Sequence, residues 1–161
     1  MEYQVVEKPA FRVVAKGRRI SWVNNANQTE IPKFWGEVTS DGTFEKLEAL
    51  AGGSVIPGWS LGLCLDFDNE AEEFTYAIGF ESDAEAGEFS AIQVPAVTFA
   101  VFKAVGPIGN AIQDVWAYAM GEFWKTSPYT HGDAPDIEAY PPGNPHADDY
   151  TVEIWIPVRA K

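Results

Sequence analysis

The 161-residue chain is short of three things. It has one cysteine, Cys64, so no internal disulfide forms and the disulfide scaffold of a small secreted domain is excluded. No apolar run approaches the roughly 20 residues that span a bilayer, and the opening MEYQVVEKPAF lacks the basic-then-apolar layout of a secretory signal. Basic residues are scarce: 11 Lys and Arg stand against 24 Asp and Glu, a net charge of −13. Such a chain does not grip nucleic acid through its phosphates and suits neutral or cationic partners. A cytoplasmic protein without membrane or direct nucleic-acid contact is expected.

Chemical motifs are equally sparse. There is no GxSxG elbow, dinucleotide fingerprint or phosphate loop; Gly106-Pro107-Ile108-Gly109 opens a helix but carries no Lys. His131 and His146 fall in expected loops, with no cysteine pair to complete a metal centre. No metal or cofactor is expected. Cys64 has no adjacent His or basic residue to activate its thiol and reads as a small core or groove residue.

Aromatics are plentiful: six Trp, six Tyr and ten Phe, 14% of the chain. With 46% apolar and 22% charged residues the chain is globular, one domain or two halves sharing a core. The aromatics either fill that core or line a pocket.

Periodicity supplies the elements. Residues 10–22 read as a strand. Asn27 to Glu30 has capping-box spacing, and Ile31, Phe34, Trp35 and Val38 follow at helical spacing. Phe44, Leu47, Leu50 and Ala51 suggest a second short helix, ended by Gly52-Gly53. Residues 59–67 alternate, with Trp59, Leu61, Leu63, Leu65 and Phe67 on one face and Gly62 and Cys64 on the other. An acidic turn, 68–73, leads to a second strand, 74–80. After a solvated acidic connector, 81–88, one long β-rich stretch runs over 89–105. Ile108, Ile112, Val115, Trp116, Ala119 and Phe123 then stripe a helix over 108–125. Residues 126–135 read as a loop, and 136–140 with 150–158 as a second hairpin.

The order strand, helix, hairpin thus occurs twice, once over about 1–81 and once over about 88–158. The predicted class is α+β: antiparallel sheets with helices on one side and a groove between the halves. Alternation sends Tyr76, Ile78 and Phe80 toward a helix and leaves Gly62, Cys64, Thr75, Ala77 and Gly79 facing the groove. In the second hairpin the groove face would carry Glu138, Tyr140, Thr151, Glu153 and Trp155. A hairpin symmetric about its loop pairs 138 with 153, setting two carboxylates side by side. Such a pair holds a proton or attracts a cation, and the flanking aromatics would complete a cation cage. A shifted register, or simple solvation of both carboxylates, is the alternative. Trp116 lies on its helix's core stripe and Trp35 fits core or groove.

The chain resembles the GyrI-like small-molecule-binding family, which also forms the effector-binding domain of multidrug-sensing AraC- and MerR-type regulators. The resemblance spans the whole chain. It rests on the duplicated layout, Val94-Pro-Ala-Val-Thr-Phe-Ala-Val-Phe102, the helix around Trp116, Asp136-Ile-Glu-Ala-Tyr140 and Val152-Glu-Ile-Trp-Ile-Pro-Val158. It implies bulky, often cationic aromatic ligands between the halves, with the acidic role falling on Glu138 and Glu153. Trp155 replaces the Tyr that family members often carry there. No helix-turn-helix is legible, so a stand-alone member is expected. Tyr140, Trp155, Trp116, Trp35 and Cys64 complete the expected binding set. Two further readings follow from the resemblance. One is a hydrolase of strained electrophiles such as cyclopropane-bearing genotoxins, with Glu153 as the catalytic group. The other is an acidic protein-interaction module that protects a topoisomerase.

Overall fold

The computed structural model describes residues 1–161. Its elements, in chain order, are β1 (Gln4–Lys8), β2 (Phe11–Ser21), α1 (Asn27–Ser40), α2 (Thr43–Glu48), β3 (Ser60–Asp68) and β4 (Glu73–Glu81), then β5 (Ser90–Val94), β6 (Val97–Val105), α3 (Asn110–Met120), α4 (Glu122–Thr126), β7 (Tyr129–His131), β8 (Asp136–Tyr140) and β9 (Thr151–Ala160). All strands join one antiparallel sheet in the order β1-β6-β9-β8-β3-β4-β2-β5, with β7 added to β9. The α+β class with helices on one side of an antiparallel sheet is therefore correct, and the sheet is continuous across both hairpins. No helix is long and apolar enough to cross a membrane.

The expected elements need four corrections. The stretch 89–105 is two strands, because Pro95 cannot donate to a ladder and the chain turns there. β1 and β7 lie where no strand was expected; both are short and largely exposed, so neither carries an alternating pattern. The helix over 108–125 breaks at Gly121 into α3 and α4. The Asn27–Glu30 capping box does not form: a 3-10 turn at Val23–Asn25, with Asn24 and Asn25 at positive φ, delivers the chain to Ala26 already helical.

The core has two sides. On one, Phe11, Val13, Leu61, Leu63, Ile137 and Trp155 join in a cluster that the sheet curls around. On the other, α3 and α4 pack on Phe102, Val152, Ile154 and Ile156, while α1 packs on Ile20, Phe74, Tyr76 and Ile78 and α2 brings Leu47 to Val14 and Phe80. The strands between the two helix pairs, β3 and β8, pair with each other through Gly62↔Glu138 and Cys64↔Asp136. That seam lies on the helix side of the sheet between α1 and α3, whose Trp35 and Trp116 reach toward it.

Register decides which side chains meet on that side, because directly opposed residues point to one face. Glu138 stands opposite Ile154, and Ala139 opposite Glu153. The expected pairing of 138 with 153 is thus off by one residue, and a one-residue slip exchanges faces. Glu153 and Trp155 lie on the curled inner side and do not meet Glu138. In the first hairpin, likewise, Gly62 stands opposite Ile78 and Cys64 opposite Tyr76. Gly62 and Cys64 therefore share the helix side with Tyr76, while Ala77 and Gly79 lie with Leu61 and Leu63. Phe67 also leaves its expected face: between Leu65↔Thr75 and Asp68↔Glu73 the register shifts by one residue, a β-bulge.

Candidate functional site

Glu138 is the centre of a polar cluster on the β3–β8 seam. It sits mid-strand in β8, where its backbone is committed to β3 and β9, and it is buried. A buried carboxylate must have partners. The Tyr76 hydroxyl of β4 donates to Glu138 Oε1 at 2.6 Å, and the Trp116 indole of α3 donates to Oε2 at 2.7 Å. Behind Tyr76, Trp35 of α1 donates its indole N–H to the Tyr76 oxygen at 2.8 Å. Tyr140 stands edge-on to Trp35 with ring centroids 5.2 Å apart. One carboxylate thus ties α1, β4, β8 and α3 together.

Gly62 makes that arrangement sterically feasible. A Cβ at this position would overlap the Tyr76 hydroxyl, lie 2.8 Å from its Cζ and 3.1 Å from Glu138 Oε1. The absent side chain is the space in which the hydrogen bond is made.

The electrostatics follow from burial. Desolvation pushes the Glu138 carboxyl above the usual glutamate range; the bonds from Tyr76 and Trp116, with a further contribution from Tyr140, oppose it. The cause is burial and not a second carboxylate. Tyr76 and Tyr140 are driven well up by burial and then by the Glu138 charge, so both remain hydroxyl donors. Burial, Glu138 and Asp136 likewise raise the Cys64 thiol well above its ordinary value. Burial thus favours the protonated thiol, and the half-buried Cys64 side chain packs beside Tyr76.

Of the residues named from sequence, the structure brings Glu138, Tyr140, Trp116, Trp35 and Cys64 onto one side of the sheet. Trp116 and Trp35 are both half-buried and pack against the helix-side core clusters. Trp155 is fully buried on the other side, between Phe11 and Phe99, and donates its N–H to Glu153 at 2.9 Å. Glu153 lines a separate open surface cavity of about 510 Å³, with Trp59, Lys103 and the Pro141–Asn144 turn.

Sequence reasoning missed Tyr76, Gly62 and a second carboxylate. A lone Tyr among aliphatic strand residues was the available signal, since a buried hydroxyl needs a partner. Asp136 is buried one pleat along β8 from Glu138, and His131 Nε2 meets its Oδ1 at 2.7 Å. His131 is therefore not a loop residue: it ends β7, and the pair clamps the short turn between β7 and β8. Burial raises the Asp136 carboxyl, against the pull of His131; the bond to Asp136 raises the imidazole.

The family model for the GyrI-like small molecule binding domain matches residues 1–159. Among solved structures, the chain is similar to SAV2435 bound to tetraphenylphosphonium, with 24% identity, 99% of this chain and 94% of that one covered, and a TM-score of 0.87. It is also similar to a putative bacterial transcription regulation protein from Staphylococcus aureus, with 24% identity, 99% of each chain covered and a TM-score of 0.83. The C-terminal domain of EcmrR shares 18% identity over the whole of both chains, with a TM-score of 0.59. Comparison with curated proteins finds no match.

Proposed function

Because the chain belongs to the GyrI-like small-molecule-binding family, we propose that it binds bulky aromatic cations in the groove between α1 and α3, with Glu138 as the counter-charge. One observation carries this reading: a buried carboxylate whose partners are all neutral donors, Tyr76, Trp116 and Tyr140. No cation in the chain is bonded to it, so its charge is held in reserve. A lipophilic cation entering beside it restores the ionised form that burial disfavours. The indoles of Trp35 and Trp116 and the Tyr140 ring offer faces for stacking, and a desolvated cation over such a face gains roughly 2 kcal/mol. The occupant of the SAV2435 structure, tetraphenylphosphonium, has this chemistry. Glu153 and Trp155, whose register sends them to the other side of the sheet, are not assigned to this site.

The test is quenching of Trp fluorescence by tetraphenylphosphonium and by neutral triphenylphosphine oxide. Glu138→Gln should weaken the cation about tenfold or more, the equivalent of ~1.4 kcal/mol, and leave the neutral compound within about threefold. Equal losses for both compounds would sink the role of the charge. Mass analysis of the same mixtures should return both compounds unchanged.

A further inference from the structure

A second surface stands apart from the groove, at the tip of the β3–β4 hairpin. Phe67 would point into the curled core if β3 alternated to its end. The bulge after Leu65 turns it out, onto Phe74, with ring centroids 5.3 Å apart and planes at 17°. Trp22 completes the stack, 28° from the plane of Phe74 at 6.2 Å and 6.3 Å from Phe67. Phe67 is 50% exposed, and Val23, next to Trp22 in sequence, 41%. Arg19 holds the bulge open: its guanidinium donates to the Asp66 carbonyl at 2.7 Å, to Thr75 Oγ1 at 3.0 Å and to Glu73 at 3.2 Å. A large aromatic side chain is thus moved from core to surface and fixed there by specific bonds.

The rim of this platform has one sign. Asp66, Asp68, Glu70, Glu72 and Glu73 surround Phe67 in sequence with no basic residue among them. The Trp22 amide donates to the Glu72 carbonyl at 3.0 Å, which sets the acidic turn against the stack. Arg19 is the cation bonded to this rim, and it is spent on Glu73 and the bulge. An apolar centre with a charged rim is the anatomy of an interface. A second copy of this chain would bring the same carboxylates face to face across a two-fold axis, and a phosphate backbone or anionic membrane would be repelled.

We propose that the Trp22–Phe67–Phe74 platform docks a basic, amphipathic segment of a partner protein. Apolar side chains of that segment seat on the exposed ring of Phe67, and its Lys or Arg residues meet the Asp66–Glu73 carboxylates. The proposal does not depend on the ligand assigned to the groove.

The probe is a fluorescein-labelled amphipathic helix of Lys and Leu, read by fluorescence anisotropy, with oligolysine and the matching Glu/Leu helix as comparisons. The Lys/Leu helix should bind, oligolysine should bind at least about tenfold more weakly, and Phe67→Ser should lose roughly tenfold for the Lys/Leu helix. A circular dichroism melt establishes that this variant is folded. Neutralising the rim with Asp68→Asn, Glu70→Gln and Glu72→Gln, which leaves the stack intact, should weaken binding and flatten its salt dependence; this variant decides the question if Phe67→Ser fails to fold. Binding unchanged in a folded Phe67→Ser, oligolysine binding as well as the Lys/Leu helix, binding of the Glu/Leu helix, or displacement of the peptide by tetraphenylphosphonium would each overturn the assignment.

Discussion

Replacing Gly62 with alanine tests whether the Tyr76–Glu138 bond is what this glycine exists to admit. The new methyl would overlap the Tyr76 hydroxyl and sit 2.8 Å from Cζ. Tyr76 is fully buried and has no free space to yield. Overpacking of this kind costs about 1–3 kcal/mol. Moving the phenol also breaks a 2.6 Å bond to a buried carboxylate, and hydrogen bonds to charged groups are worth about 1.5–3 kcal/mol. Together the loss is roughly 2.5–6 kcal/mol, a large share of the stability of an ordinary domain. Urea unfolding should show a lower midpoint with an unchanged slope. Tyr76→Phe removes the hydroxyl beforehand, so adding Gly62→Ala to it should cost less than in the parent by about 1.5–3 kcal/mol. Additive losses, or a single-variant loss under about 1 kcal/mol, would refute the steric argument.

Trp116→Phe removes the donor on Glu138 Oε2; unfolding should show a loss of about 1.5–3 kcal/mol, and the Glu138 carboxyl should titrate still higher by NMR. Glu81→Ala strips the acceptor shared by the Ser54, Val55 and Ile56 amides; a loss of at least about 2 kcal/mol should accompany fast hydrogen exchange at Val55 and Ile56. The His131–Asp136 clamp gives a pH signature. The bond raises the imidazole above its ordinary 6.5, so its stabilisation is full below that value and is lost as pH rises through the raised one. The melting temperature of the parent should therefore fall relative to His131→Gln across that window; parallel curves would contradict it.

How far the sequence could be read depended on how one-sided each strand is. β2 and β4 announce themselves because β-branched and aromatic runs are bounded by turns. β8 and β9 are buried on both faces; β9 is apolar on both, with Trp155 on one and Ile154 and Ile156 on the other. In such strands alternation does not say which face is which. The register then rests on the Pro141–Tyr150 connection, which is not symmetric: Tyr150 bends back to donate its hydroxyl to the Pro141 carbonyl. One residue of slip was enough to place Glu153 beside Glu138 on paper and on opposite sides in space. Glu138 and Tyr140 stood out as polar groups inside a strand pattern, whereas Trp35 and Trp116 fitted a helical core stripe equally well, and only the structure joins all four in one cluster. Gly62 was not, since the need for an absent side chain appears only once Tyr76 is across from it.

The strand order carries a consequence of its own. β1, which begins the chain, completes the ladder of β6, and β5, which begins the second hairpin unit, completes that of β2. Each half is finished by a strand the other half supplies, and β3 and β8 are stitched along the middle. Neither half has a closed hydrogen-bond ladder alone, so the chain should melt as a single cooperative unit. Glu138 lies on the stitch, where an occupant of the proposed groove would act as a third fastening. Ligand affinity would then be measurable as heat resistance of the entire molecule, including edges far from the binding site.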